Sequence, residues 1–75
     1  MPNFLWSGMR FRAWRNVTGR PIQNIAIGDT LMIHPGEWLV ASPVQGFQRY
    51  RDPIFRAVFE PIDEEAEAEL LKECL

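Results

Sequence analysis

Side-chain chemistry needs reactive groups within reach of one another, and this chain has few. His34 is the only histidine and Cys74 the only cysteine. With no second His and no Cys nearby, His34 makes neither a nucleophile–base pair nor a metal site. It reads as a residue flanking the turn that follows it. A single Cys74 excludes an internal disulfide and a Cys-rich zinc site, which suits a reducing cytoplasm. Acids cluster only toward the C-terminus, where they are expected to act as solvated charges. The chain has no Gly-rich phosphate loop, no Ser-His-Asp set and no zinc spacing. Catalysis is not expected, and neither is a cofactor or a metal.

What the chain does carry is arginine interleaved with aromatics. In Met9–Val17, MRFRAWRNV, three guanidinium groups (Arg10, Arg12 and Arg15) surround Trp14. A second set, Arg49, Tyr50 and Arg51, lies further on. Such groups can contact phosphates and stack on bases, or they can anchor a protein partner. The first set can also be ordinary charged decoration that protects an edge strand from aggregation, and that reading is preferred. Phe4, Leu5 and Trp6 form an apolar N-terminal arm without clear period. They either fold back over an open end of the core or, with Arg10, Arg12, Trp14 and Arg15, bind a partner. Glu64, Glu65 and Glu67 supply a secondary electrostatic contact, together with Arg49, Tyr50 and Arg51.

The elements that position these residues follow from alternation and punctuation. Met9, Phe11, Ala13 and Val17 share one phase of a half-buried strand, with the arginines opposing or interrupting it. Asn16–Gly19 is a turn, and Ile22, Ile25 and Ile27 form a short strand or one helical turn. Gly28-Asp29 is a turn before the buried strand Thr30–His34. Pro35-Gly36 joins it to Glu37–Ser42, because Pro presets φ and Gly accepts positive φ. A further Pro/Gly turn, Ser42–Gly46, leads into the strand Phe47–Arg51. Asp52 can cap a turn begun by Pro53. The spacing of Ile54, Phe55, Val58 and Phe59 fits a helical turn or a returning strand. Asp63 is an N-cap for a terminal helix whose stripe is Ala66, Leu70 and Cys74, with Leu71 and Leu75 beside it. That stripe is narrow, so the helix is expected to dock loosely or remain a solvated tail.

Seventy-five residues allow one domain, which buries only about 60–65% of the surface of its unfolded chain. The expected architecture is α+β: a mostly antiparallel sheet or open barrel of four to five strands with one acidic C-terminal helix. Its divisions are an arm at 1–8, a compact β-rich domain at 9–62 and a helix or tail at 63–75. The expected core is Phe11, Ile25, Ile27, Leu31, Ile33, Trp38, Val40, Phe47, Ile54, Phe55 and Phe59. Charge is uneven. Seven Arg face three acids in residues 1–56, a balance of +4, and Lys72 faces seven acids in 57–75, a balance of −6. A basic face and an acidic tail suit a protein partner better than phosphates, which the tail repels. Apolar runs are too short for a membrane span, and a monomer in the cytoplasm is expected.

Residues 35–38 (PGEW) precede two aliphatics, a small-residue turn ends in Gly46-Phe47, and DPIF (52–55) and FEP (59–61) follow. Over residues 22–62 this resembles a family of small phage and prophage proteins with a PGDW-type turn and strand and a GEF…PDIF…YEP block. The chain departs from that pattern at Glu37, at the order of Asp52-Pro53, and at Phe59. The resemblance implies a turn followed by a strand after Asp52, and a phage-encoded origin. Most of that family has no assigned activity. By analogy with phage proteins of this size, the expected function is non-catalytic: binding and modulating a host macromolecule, with bacterial RNA polymerase the leading target. The alternatives are a small β-barrel that binds nucleic acid and a virion accessory or structural protein.

Overall fold

The computed structural model describes residues 1–26 and 29–74, the side chains of 24–26, 29 and 30 excepted. Ile27, Gly28 and Leu75, and the side chain of Ile25, lie outside the described residues, so the expectations placed on them stand aside. In chain order the elements are β1 (Asn3–Trp6), β2 (Met9–Arg15), β3 (Ile22–Ala26), β4 (Asp29–Ile33), β5 (Trp38–Ser42), β6 (Gly46–Tyr50), α1 (Asp52–Val58), β7 (Glu60–Pro61) and α2 (Glu64–Leu71). An antiparallel five-stranded sheet runs β6-β5-β2-β1-β7, and β3 and β4 pair as a separate two-stranded sheet. The class is α+β, without a closed barrel.

Three expectations change here. The N-terminal arm is a sheet strand. Trp6 and Met9 close a two-residue hairpin in which Ser7 and Gly8 both have positive φ, 54° and 77°, as primed turns require to match strand twist. β2, flanked by β1 and β5, is therefore the central strand, and its arginines protect no edge. Residues 52–58 are helical, so the described residues hold two helices, and the strand implied after Asp52 shrinks to Glu60–Pro61. Pro61 is acceptable there because β7 is an edge. The N-cap of α1 is Arg51, with no side-chain cap bond, and Asp52 opens the helix instead of capping it.

Alternation sorts the sheet into two faces. Phe4, Phe11, Ala13, Trp38 and Val40 point inward and pack with Phe55, Phe59 and Ala66 from the helical side. Trp38 stacks on Phe55 at a centroid distance of 3.8 Å, and Phe55 stacks on Phe59 at 4.6 Å. Phe4 meets the edges of both Trp38 and Phe55. Phe47 and Ile54, expected in the core, are exposed, whereas Phe4, Ala13, Leu39 and Ala66 join it. The register explains Phe47: it lies opposite Ala41, on the outer face, while Gln48 and Tyr50 lie opposite Val40 and Trp38. Leu31 is half-buried, and Ile33 is fully buried outside the main cluster.

The Pro35-Gly36 turn forms as expected. Gly36 has φ 85°, and the Glu37 N–H donates to the His34 carbonyl at 3.0 Å, as a type II turn requires. Asn16, fully buried, ties this turn to the one before β3. Its Nδ2 donates to the Arg20 and Ile33 carbonyls, both at 2.8 Å, and its backbone carbonyl accepts from the Gly36 N–H.

Truncating the stacked ring should show where the fold's stability resides. Phe55→Ala is expected to cost about 3–5 kcal/mol in urea denaturation, enough to unfold much of a domain this small. Its neighbour Ile54→Ala should stay within about 0.5 kcal/mol, since it leaves no cavity.

Candidate binding surface

Two groups of polar side chains stand out, one committed to the fold and one not. The committed group centres on Arg15, the last residue of β2. Its position in the strand places it on the inner face, and its side chain is only 13% exposed. The Arg15 Nε donates to the Gly36 carbonyl at 3.3 Å and lies 3.4 Å from Asp52 Oδ1. Its Nη1 donates to the Lys72 carbonyl at 2.8 Å, and its backbone N–H donates to Glu69 Oε2 at 3.1 Å. Asp52 Oδ1 also accepts from the Trp38 indole and from Arg56 Nε, each at 2.9 Å. Burial pushes the Asp52 carboxyl up, but the bonds from Trp38 and Arg56 and the charges of Arg15 and Arg56 outweigh it. The pKa is held below its ordinary 3.8.

The same arginines secure the terminal helix. α2 starts as expected, with Asp63 Oδ1 accepting from the Ala66 N–H at 2.8 Å. Its last turn has no basic residue. Arg56 Nη2 donates to the Leu70 carbonyl and Arg15 Nη1 to that of Lys72, both at 2.8 Å, so distant side chains satisfy the orphan carbonyls. With Ala66 and Glu69 buried, α2 is docked and is not a loose tail. Leu71 points to solvent, and Cys74 lies past the helix end.

The uncommitted group lies on the outer face of the sheet. Arg10 sits opposite Leu5, and Arg12 lies between Asn3 and Ala41. Trp14, half-buried, is opposite the buried Leu39. Arg10 and Arg12 are exposed and, among the described residues, neither forms an ion pair or side-chain hydrogen bond. They flank an open concavity of about 310 Å³ that Asn3, Ala41, Ser42 and Pro43 also line.

The remaining expected contacts are scattered. Phe4 is fully buried and offers a partner nothing; its ring is core. Leu5 is half-buried beside Arg10 on the outer face. Trp6, exposed by 43%, takes the inner face at the hairpin end and leans on Phe11 and Phe59. Arg15 is withdrawn into the fold, as described. Arg49 is spent on the Met32 carbonyl at 2.8 Å and on Glu37 at 3.8 Å. Tyr50 faces inward against Phe59, and exposed Arg51 precedes α1. The two Arg-aromatic sets thus do not merge, because β5 separates their strands and alternation sends Arg15 and Tyr50 inward. Glu64, Glu65 and Glu67 are exposed on the first turn of α2. Two polar residues escaped sequence reasoning, Asn16 and Glu69. Glu69 accepts from the distant Arg15 N–H, which nothing local marks, whereas Asn16 Oδ1 also accepts from the Thr18 N–H and hydroxyl, a local signal within the Asn16–Gly19 turn.

No three His, Cys, Asp or Glu side chains form a metal-binding group among the described residues, and no described helix is long and apolar enough to cross a membrane. No protein-family model matches the chain, and no curated protein or solved structure does.

Asp52 gives the polar cluster a pH signature. Its folded pKa is below the unfolded value, so its contribution to stability is present above that value and fades as pH falls through the folded pKa. Stability of the native protein should therefore decline below about pH 4. Asp52→Asn should be less stable at neutral pH and lose less over the same range. Urea midpoints measured between pH 7 and 2.5 check this, and parallel curves for the two proteins would contradict it.

Proposed function

We propose that this chain is a non-catalytic binding module that docks a protein partner on the outer face of its five-stranded sheet. Arg10 and Arg12 are the charged anchors, and Leu5 and Trp14 are the apolar ground beside them. One observation carries the reading. Arg15, Arg49 and Arg56 are each spent on internal acceptors, while Arg10 and Arg12 stand exposed without any among the described residues. Unpaired guanidinium groups beside apolar surface are the composition of interface hot spots. The partner surface they fit is acidic.

The resemblance of residues 22–62 to small phage proteins supports a narrower form of the proposal. The chain is then phage-encoded, acts in a bacterial host and binds RNA polymerase, altering transcription. Glu64, Glu65 and Glu67 on α2 are a second, oppositely charged contact. Nucleic acid fits less well, since among the described residues two unpaired arginines share the sheet's outer face.

Binding of purified bacterial RNA polymerase to immobilised protein tests the narrow form, with Arg10→Ala/Arg12→Ala and Glu64→Gln/Glu65→Gln/Glu67→Gln beside the native chain. The arginine pair should weaken binding by at least about tenfold and the glutamine set by less. Equal binding by the arginine variant would refute the assigned face. Absence of polymerase binding would remove that target. Oligonucleotide binding that falls steeply with salt would favour a phosphate partner instead.

A further inference from the structure

The two hairpins of the five-stranded sheet turn at the same end of it. β1 runs into the Ser7-Gly8 turn and β2 runs away from it. β5, antiparallel to β2, runs toward the turn at 43–45, and β6 returns. Trp6 and Met9 flank the first turn and Val44 lies in the second. All three are exposed, Val44 by 76%. Single apolar side chains are ordinary on a surface, but these three line one open hollow of about 320 Å³, together with Phe11, Gln45 and Gln48. Among the described residues no charged side chain lines it. Phe47, exposed on the outer face opposite Ala41, carries apolar surface round to the other side of the same end. Trp6 is held half out of the fold against Phe11 and Phe59, at centroid distances of 6.0 and 5.5 Å, so its place is set before anything binds.

Charge is graded about this end. The chain has no acid before Asp29 and none in residues 38–51, so β1, β2, β5, β6 and both turns carry no carboxylate. Glu60, opposite Leu5, is the one acid in the five-stranded sheet. Exposed Arg10 follows Met9 directly, and Arg12 lies roughly 10 Å along the strand from Met9. Their aliphatic stems let both guanidinium groups reach toward the turns. The acidic helix α2 is tied to the opposite end, where Glu69 Oε2 accepts from the backbone N–H of Arg15, the last residue of β2.

We infer that this end of the sheet docks on an anionic lipid bilayer surface. The two turns enter the headgroup layer, Trp6, Met9 and Val44 reach the acyl boundary, and Arg10 and Arg12 meet the lipid phosphates. Tryptophan favours that boundary because its ring is apolar while its indole N–H still finds an acceptor. Insertion is shallow, since the open backbone of the turns must stay hydrated. The apolar side chains supply the attachment and the arginines the preference for anionic lipid. An acidic protein surface answers the arginines but leaves the neutral hollow and Trp6 uncovered. A bilayer, with charge above hydrocarbon, answers both.

Co-sedimentation with vesicles of phosphatidylcholine alone, and of phosphatidylcholine and phosphatidylglycerol in equal parts, tests the inference, beside tryptophan quenching by lipids brominated in the acyl chain. Binding to the mixed vesicles should exceed binding to phosphatidylcholine by at least about tenfold. Acyl bromine should quench the native protein and not Trp6→Phe, although Trp14 and Trp38 remain in both. Val44→Glu, at an exposed turn position where no packing is lost, should weaken binding at least about tenfold. Arg10→Ala/Arg12→Ala should bind the two vesicles alike. Absence of sedimentation, equal binding of the native chain to both vesicles, or native-like binding by Val44→Glu would overturn the inference. So would light scattering that finds native dimers which Val44→Glu dissociates, because a second copy would then cover the hollow. Val44→Glu keeps Arg10 and Arg12, so the protein docking proposed above stands or falls separately.

Discussion

The guanidinium of Arg15 joins parts of the molecule that no continuous secondary structure connects. From the end of the central strand it reaches the Pro35-Gly36 turn, the start of α1 and the carbonyl of Lys72, the residue that caps α2. Arginine suits this place because its planar fork serves several acceptors at fixed angles, which a lysine ammonium does not. Its charge is balanced by Asp52, and Asp52 is itself held by the Trp38 indole at one end of the aromatic stack. The polar cluster and the apolar core are thus one device, sharing the tryptophan that belongs to both.

That arrangement bears on function through what it leaves over. An Arg-rich strand sequence suggests a broad basic surface, yet alternation turns Arg15 inward and the helices consume Arg56. What stays available on the outer face is Arg10 and Arg12, on ground that the helices do not cover. The acidic helix is fixed on the inner side by Arg15 and Arg56, which are therefore not part of the outer basic patch. Internal charge pairing has therefore sharpened the contrast between a small cationic face and an acidic pole.

The local features were legible in the sequence. Asp63 before an acidic run, Pro35-Gly36 between apolar runs and the alternation of Trp38 with Val40 each act within a few residues, and each forms as expected. The failures were of two kinds. Residues 52–58 are too short for periodicity to separate helix from strand, and the resemblance pointed to a strand. Ser7-Gly8 is a two-residue turn signal between FLW and MRF, and reading the first eight residues as a terminal arm hid both the hairpin and the buried Phe4. Arg15 and Glu69 are a different matter, because the groups that fix them come from distant elements and no spacing announces them, and the same holds for the Ile33 carbonyl that Asn16 bonds. Phe47 and Ile54 are apolar in type but exposed in fact, Phe47 because sheet register governs it and Ile54 because its side of a short helix faces out.

Amide hydrogen exchange in an Arg15→Lys variant tests the central role of this residue most directly, since the backbone bond to Glu69 survives while the guanidinium contacts are lost. Protection across Glu67–Lys72 should fall by at least about tenfold, with the β2–β5 amides little changed, because α2 would open locally without the sheet unfolding. Unchanged protection in α2 would mean that Ala66, Leu70 and Glu69 hold the helix alone, and that Arg15 is not the residue on which the assembly depends.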